Sequence, residues 1–169
     1  LSTHMFKDRG GKLNMGPIWD YNGALGNADY FQAWDPEGWH HQFDEGDDGE
    51  RFPADNPNGY HWYCRLFADP VFRARYAARW EALRTTVLST QHLRSDIAEM
   101  ATRLNEPAQR NFERWPILGE GVFPDESHRS MTDATYASEI EYLKRWLIAR
   151  VEWMDDAVNQ LDAPTCEAP

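Results

Sequence analysis

From Tyr136 onward the apolar residues return with a rhythm that suits one backbone geometry: Tyr136, Ile140, Leu143, Leu147, Val151, Met154, Val158 and Leu161 stand three or four positions apart. An α-helix turns once every 3.6 residues, so this spacing lines up the side chains on one stripe over about seven turns. A stripe that long needs partners to cover it, and the preceding sequence supplies them. Asp69-Pro70 reads as an N-cap followed by proline at the first helical position. Phe72, Tyr76, Trp80, Leu83 and Val87 then recur at helical spacing, with Arg73, Arg75, Arg79 and Arg84 mostly off that stripe. Leu93, Ile97, Met100 and Leu104 mark another helix, which Pro107 is expected to kink or end, with Phe112 and Trp115 in a continuation. Tyr60, Tyr63, Cys64 and Phe67 mark a shorter one before Asp69, and the glycines and Pro124 between Ile117 and Arg129 read as a connection.

The N-terminal region follows a different pattern. His4-Met5-Phe6-Lys7 and Lys12-Leu13-Asn14-Met15 flank Asp8-Arg9-Gly10-Gly11, whose glycines can take the positive φ of a tight turn. This predicts a β-hairpin whose second arm runs through Gly16 and Pro17 to Ile18 and Trp19 and delivers Asp20 at a strand-to-loop corner. Residues 27–59 are rich in Gly, Asp, Pro and aromatics and lack a clean period, which reads as a long loop. The expected fold is mainly α: an N-terminal β-hairpin, a long loop and a body of four to five helices. Residues 1–162 read as a single domain segment and 163–169 as a frayed tail.

Hydrophobic residues make up 41% of the 169-residue chain, ample for a core. The formal net charge of −11 argues against a general nucleic-acid binder, whose affinity comes largely from Lys and Arg on phosphates. An acidic surface is first of all a solvated one, although it would also attract basic proteins or cations. The two cysteines, Cys64 and Cys166, are too few for a disulfide framework or a four-thiolate zinc site. No apolar run approaches the ~20 residues that a membrane span requires.

Among residues able to carry chemistry, Asp20 stands out, because a carboxylate where a strand yields to a glycine-bearing loop can reach a bound Mg²⁺. If the segment stays extended, Asn22 points the same way as Asp20 and the pair can share one site. Taken as bare spacing, Asp-x-Asn in a turn is more often an Asx-type cap than a metal site. Lys12 can approach a phosphate from the hairpin or simply blunt an exposed strand edge. His40 and His41 near Asp44, Glu45, Asp47 and Asp48 lack the regular spacing of a calcium loop and read first as a solvated loop. Trp34, Trp39, Trp62 and Trp115 can line a groove, but such a density of tryptophan more often builds core.

The run Lys7-Asp8-Arg9-Gly10-Gly11-Lys12-Leu13-Asn14-Met15-Gly16-Pro17-Ile18-Trp19-Asp20-Tyr21-Asn22, with Ala24-Leu25-Gly26-Asn27 after it, resembles the signature segment of the CotH kinase family known from spore-coat proteins. Asp69-Pro70-x-Phe72 with Arg79-Trp80, Arg110-Asn111 with Arg114-Trp115-Pro116, and Trp146-x-x-x-Arg150 with Trp153-Met154 extend the resemblance along nearly the whole chain. The resemblance implies an atypical protein-kinase-like fold, here part of its C-lobe, and transfer of the ATP γ-phosphoryl group to Ser or Thr of partner proteins. Asp20 would then stand where kinases place the metal-binding Asp that follows a hairpin, with Asn22 as accessory Mg²⁺ ligand and Lys12 near the nucleotide. Many members carry a second Asp at the Asn22 position, and a neutral amide binds a divalent ion less strongly.

The resemblance also places the catalytic-loop Asp, the nucleotide-gripping Lys and the N-lobe before the hairpin. On that reading the chain is the C-terminal portion of the domain and is inactive by itself. The competing expectation is a non-catalytic interaction module, its aromatic loop and acidic surface holding partners in an extracellular or spore-coat assembly.

Overall fold

The computed structural model describes residues 4–29, 32–39, 61–122 and 134–161, with only the backbone of 61–64. In order these residues form β1 (Met5–Phe6), β2 (Asn14–Met15), α1 (His61–Ala68), α2 (Pro70–Arg84), α3 (Thr90–Arg114) and α4 (Tyr136–Ala157). The architecture is mainly helical with an N-terminal antiparallel hairpin, as the patterns predict. The acidic run, His40, His41 and the tail from 162 onward lie outside the described residues.

Met5 pairs with Met15 and Phe6 with Asn14. The turn closes through the Gly11 amide donating to the Asp8 carbonyl at 2.9 Å, with Gly10 at φ +75° in the left-handed region that glycine tolerates. The second arm is shorter than expected. The Gly16 amide still donates to the His4 carbonyl at 2.9 Å, but Gly16 has φ +130° and Pro17 has no N–H to give, so pairing stops there.

Each long helix starts on a side-chain cap. Asp69 accepts from the Val71 amide at 2.8 Å, Ser89 from His92 at 3.2 Å, and Thr135 and Ser138 form a reciprocal capping box. Helix α2 ends at Arg84, sooner than its apolar pattern suggests, so Val87 falls in the following turn and is exposed. Helix α3 continues through Pro107. Both Pro107 and Arg103, whose carbonyl loses its usual donor, face water, where that carbonyl can be hydrated. Met100 and Leu104 are exposed as well, so only the first half of the α3 stripe, around Ile97, is buried.

The core sits where α2 and α4 meet. Trp80, Val151 and Val158 are its buried centre, flanked by Trp39, Tyr76, Leu88, Leu93, Leu147 and Met154. One ion pair ties the helices together at the rim of this core. Arg84 donates to both carboxylate oxygens of Asp155 at 2.8 Å each and also to the carbonyl of Leu88, while the Trp80 indole N–H donates to Asp155 at 2.9 Å. The bond from Arg84 holds the Asp155 carboxyl below the usual carboxylate range, the Trp80 N–H acting in the same direction. The Tyr136 hydroxyl donates to the Ala101 carbonyl at 3.3 Å, which joins the start of α4 to α3.

Candidate functional site

Past the hairpin the chain makes a sharp corner at Asp20, which has φ +61° and an exposed side chain. Asp tolerates the left-handed region better than most residues because its short polar side chain can bond locally. The corner continues directly into turns: the Ala24 amide donates to the Tyr21 carbonyl at 3.0 Å and Asn27 to Ala24 at 3.3 Å. The Asn27 side-chain amide donates to the Asn22 carbonyl at 2.7 Å. Asp20 and Asn22 therefore do not lie on one extended strand, and strand alternation does not align their side chains. A left-handed corner and a turn replace the expected straight delivery, because β2 ends at Met15.

Lys12 is exposed on the approach to β2, where its carbonyl accepts from the Asn14 side chain at 2.9 Å. Among the described residues no group of three or more His, Cys, Asp or Glu is arranged to hold a metal ion. Asp20 offers a carboxylate, but not a complete set of protein ligands. Mg²⁺ commonly binds through one or two carboxylates with water and substrate phosphates completing its octahedron. A single exposed carboxylate such as that of Asp20 is at most a partial ligand set for such an ion.

After the corner, helix α4 takes over the loop. The Tyr142 hydroxyl donates to the Gly26 carbonyl at 2.9 Å and the Trp146 indole N–H to the Trp34 carbonyl at 2.8 Å. Arg150 donates to the carbonyls of Pro36 at 2.8 Å and Gly38 at 2.7 Å. Its guanidinium carbon lies 4.7 Å from the ring centre of Trp153 and 5.7 Å from that of Trp39. Burial lowers the Arg150 pKa from the ordinary arginine value, with Tyr76 and Asp35 acting against that shift. The group stays protonated at any working pH. Gly26, at φ +82°, lies against the Trp146 ring, where an added Cβ would come within 2.4 Å of Cδ1. Between loop and helix remains a cleft of about 250 Å³, bordered by Gly23, Leu25, Asp35, Trp146 and Arg150.

The family described as CotH kinase protein matches residues 2–154, from the hairpin to the last turn of α4. This chain belongs to that family. No curated protein and no solved structure matches it. As a CotH family member it is a kinase-related protein, and its Trp146-x-x-x-Arg150 element acquires a structural role, since both residues face the loop that follows Asp20. Tyr142 stood outside the sequence-based candidates. The available signal was a second stripe on α4, with Tyr142, Trp146, Arg150 and Trp153 spaced four, four and three apart, beside the core stripe. Within the described residues no helix is long and apolar enough to cross a membrane.

Proposed function

We propose that this CotH family chain contributes the metal-binding corner of a protein Ser/Thr kinase site, with Asp20 as ligand to the Mg²⁺ of ATP and Asn22 as accessory ligand. The observation that carries this reading is Asp20 itself: an exposed carboxylate at a left-handed corner, just past a hairpin, in a chain of this family. Bound there, Mg²⁺ would neutralise charge on the triphosphate during transfer to a Ser or Thr hydroxyl. The residues of this chain would orient the carboxylate through the turns that follow it, closed by the Ala24 amide on the Tyr21 carbonyl and the Asn27 side chain on the Asn22 carbonyl. In this reading Lys12 lies on the nucleotide side. In a kinase of this type a base for the acceptor hydroxyl and a lysine on the nucleotide complete the site.

Calorimetric titration of Mn²⁺ or Mg²⁺, with and without ATP, tests this reading on the chain and on Asp20→Ala. Binding should require ATP and should fall at least tenfold in Asp20→Ala. Equal binding by both proteins, or none by either, would remove Asp20 from the metal site.

One observation favours a second reading, a non-catalytic interaction module. Ile18 is 88% exposed and Trp19 66%, and Phe6, Leu13 and Met15 on the hairpin are exposed too. Apolar surface gathered on one segment is characteristic of protein contact sites. In that reading the segment docks a coat or cell-surface protein and Asp20 merely shapes the corner. Nucleotide-independent behaviour of Asp20→Ala, together with loss of a protein partner in Trp19→Ser, would favour it.

A further inference from the structure

A loop without helix or sheet leaves its carbonyls without partners, and a folded protein must satisfy them. Here four of those carbonyls, at Gly26, Trp34, Pro36 and Gly38, accept from side chains of one helix. The donors, Tyr142, Trp146 and Arg150, are spaced four apart and so share one face of α4. Directional bonds of this kind fix a register, where apolar packing alone would let the loop slide. Trp146 fixes it further, because only glycine fits against its ring at position 26.

The register reaches Asp20 through a short, continuous path. Tyr142 holds the Gly26 carbonyl; Asn27, the next residue, bonds with its side chain to the Asn22 carbonyl and with its amide to Ala24. Ala24 in turn bonds the Tyr21 carbonyl, adjacent to Asp20. We infer that Tyr142, Trp146 and Arg150 are positioning residues that set the Asp20 corner from α4, with Asn27 as the link. The inference rests on the proposed role of Asp20 where metal binding is concerned, but not for the order of the corner.

Tyr142→Phe removes one hydroxyl and keeps the ring, and Asn27→Ala removes the link; Gly26→Ala forces the loop off Trp146. Amide hydrogen exchange at 20–29 and in α2, and Mn²⁺–ATP affinity by calorimetry, are measured on the unsubstituted chain, these variants, the Tyr142→Phe/Asn27→Ala double variant and Asp20→Ala. Loss of one such bond should speed exchange of the Ala24 amide, which donates to the Tyr21 carbonyl beside Asp20, by about three- to tenfold. Gly26→Ala should do so by more, with α2 unchanged in all variants. The double variant should fall short of the product of the single effects, as expected of two groups on one path. Mn²⁺–ATP affinity should weaken several-fold alongside the faster exchange. Faster exchange at the Asn27 amide with none at the Ala24 amide would overturn the inference, as would fully multiplicative effects or an unchanged affinity despite a loosened corner. If Asp20→Ala binds Mn²⁺–ATP as tightly as the unsubstituted chain, or neither binds it, the metal reading fails separately. Exchange at the Ala24 amide then decides alone whether α4 sets the corner.

Discussion

The helical body and the segment that carries Asp20 are held by different forces. In the body, Val151 and Val158 are only 4% and 2% exposed, and the core they form with Trp80 is stabilised by removal of apolar surface from water. In the N-terminal segment Ile18 and Trp19 face solvent, the strands are two residues long, and the loop is fastened by hydrogen bonds from α4 to its backbone. A two-stranded hairpin is marginal by itself in water. The difference teaches that α4 has two jobs on two faces: one stripe completes the core, and the other imposes a conformation on a segment with little core of its own. A segment held in this way can be loosened without unfolding the body.

The sharpest test of that division is Trp80→Ala. It removes a ring from the core centre and a donor to Asp155, and should lower unfolding free energy by about 3–5 kcal/mol in chemical denaturation. A loss under about 1 kcal/mol would mean that the body is not organised around this core.

Next in size is Asp155→Ala, which leaves the Arg84 guanidinium, 17% exposed, without its carboxylate, and the Trp80 N–H without its acceptor. A cost of about 1–3 kcal/mol is expected, reduced from that of a fully buried pair because the Asp155 side chain is 41% exposed. The same pair predicts a pH dependence. The Asp155 pKa is depressed in the folded state, so its contribution is present above the ordinary aspartate pKa of about 4 and is lost as pH falls through the folded value. Acid melts of the parent chain and Asp155→Asn should converge below that range. Curves that stay parallel would show that the pair does not link the helices.

The smallest effect belongs to the other region. Ile18→Ser should change global stability by no more than about 0.5 kcal/mol, because the side chain is already in water. A thermal shift as large as that of Asp155→Ala would break the comparison and place Ile18 in a contact that supports the body.

Much of this was legible in the residues. The three-four rhythm of α4, the Asp69-Pro70 start of α2 and the Gly10 turn each follow from local geometry that any chain with those residues would share. The run ending at Asp20 and the Trp146 and Arg150 element were legible as a family resemblance, which the match over 2–154 bears out. The ends of elements were harder to place. Local periodicity does not say that Gly16 will leave the ladder, that Val87 will fall past the helix, or that Met100 and Leu104 will find no cover.

The sequence by itself determined which segments are helical, which turn is glycine-bound and which residue types are available to chemistry, because those depend on neighbours within a few positions. Only the tertiary structure decided that Tyr142, more than a hundred residues from Gly26, would hold that carbonyl, and that Arg150 would serve two others. Those bonds depend on which face of α4 the loop meets. That choice follows from how the core stripe packs, since burying Val151 and Val158 turns the adjacent row of polar and aromatic side chains toward the loop.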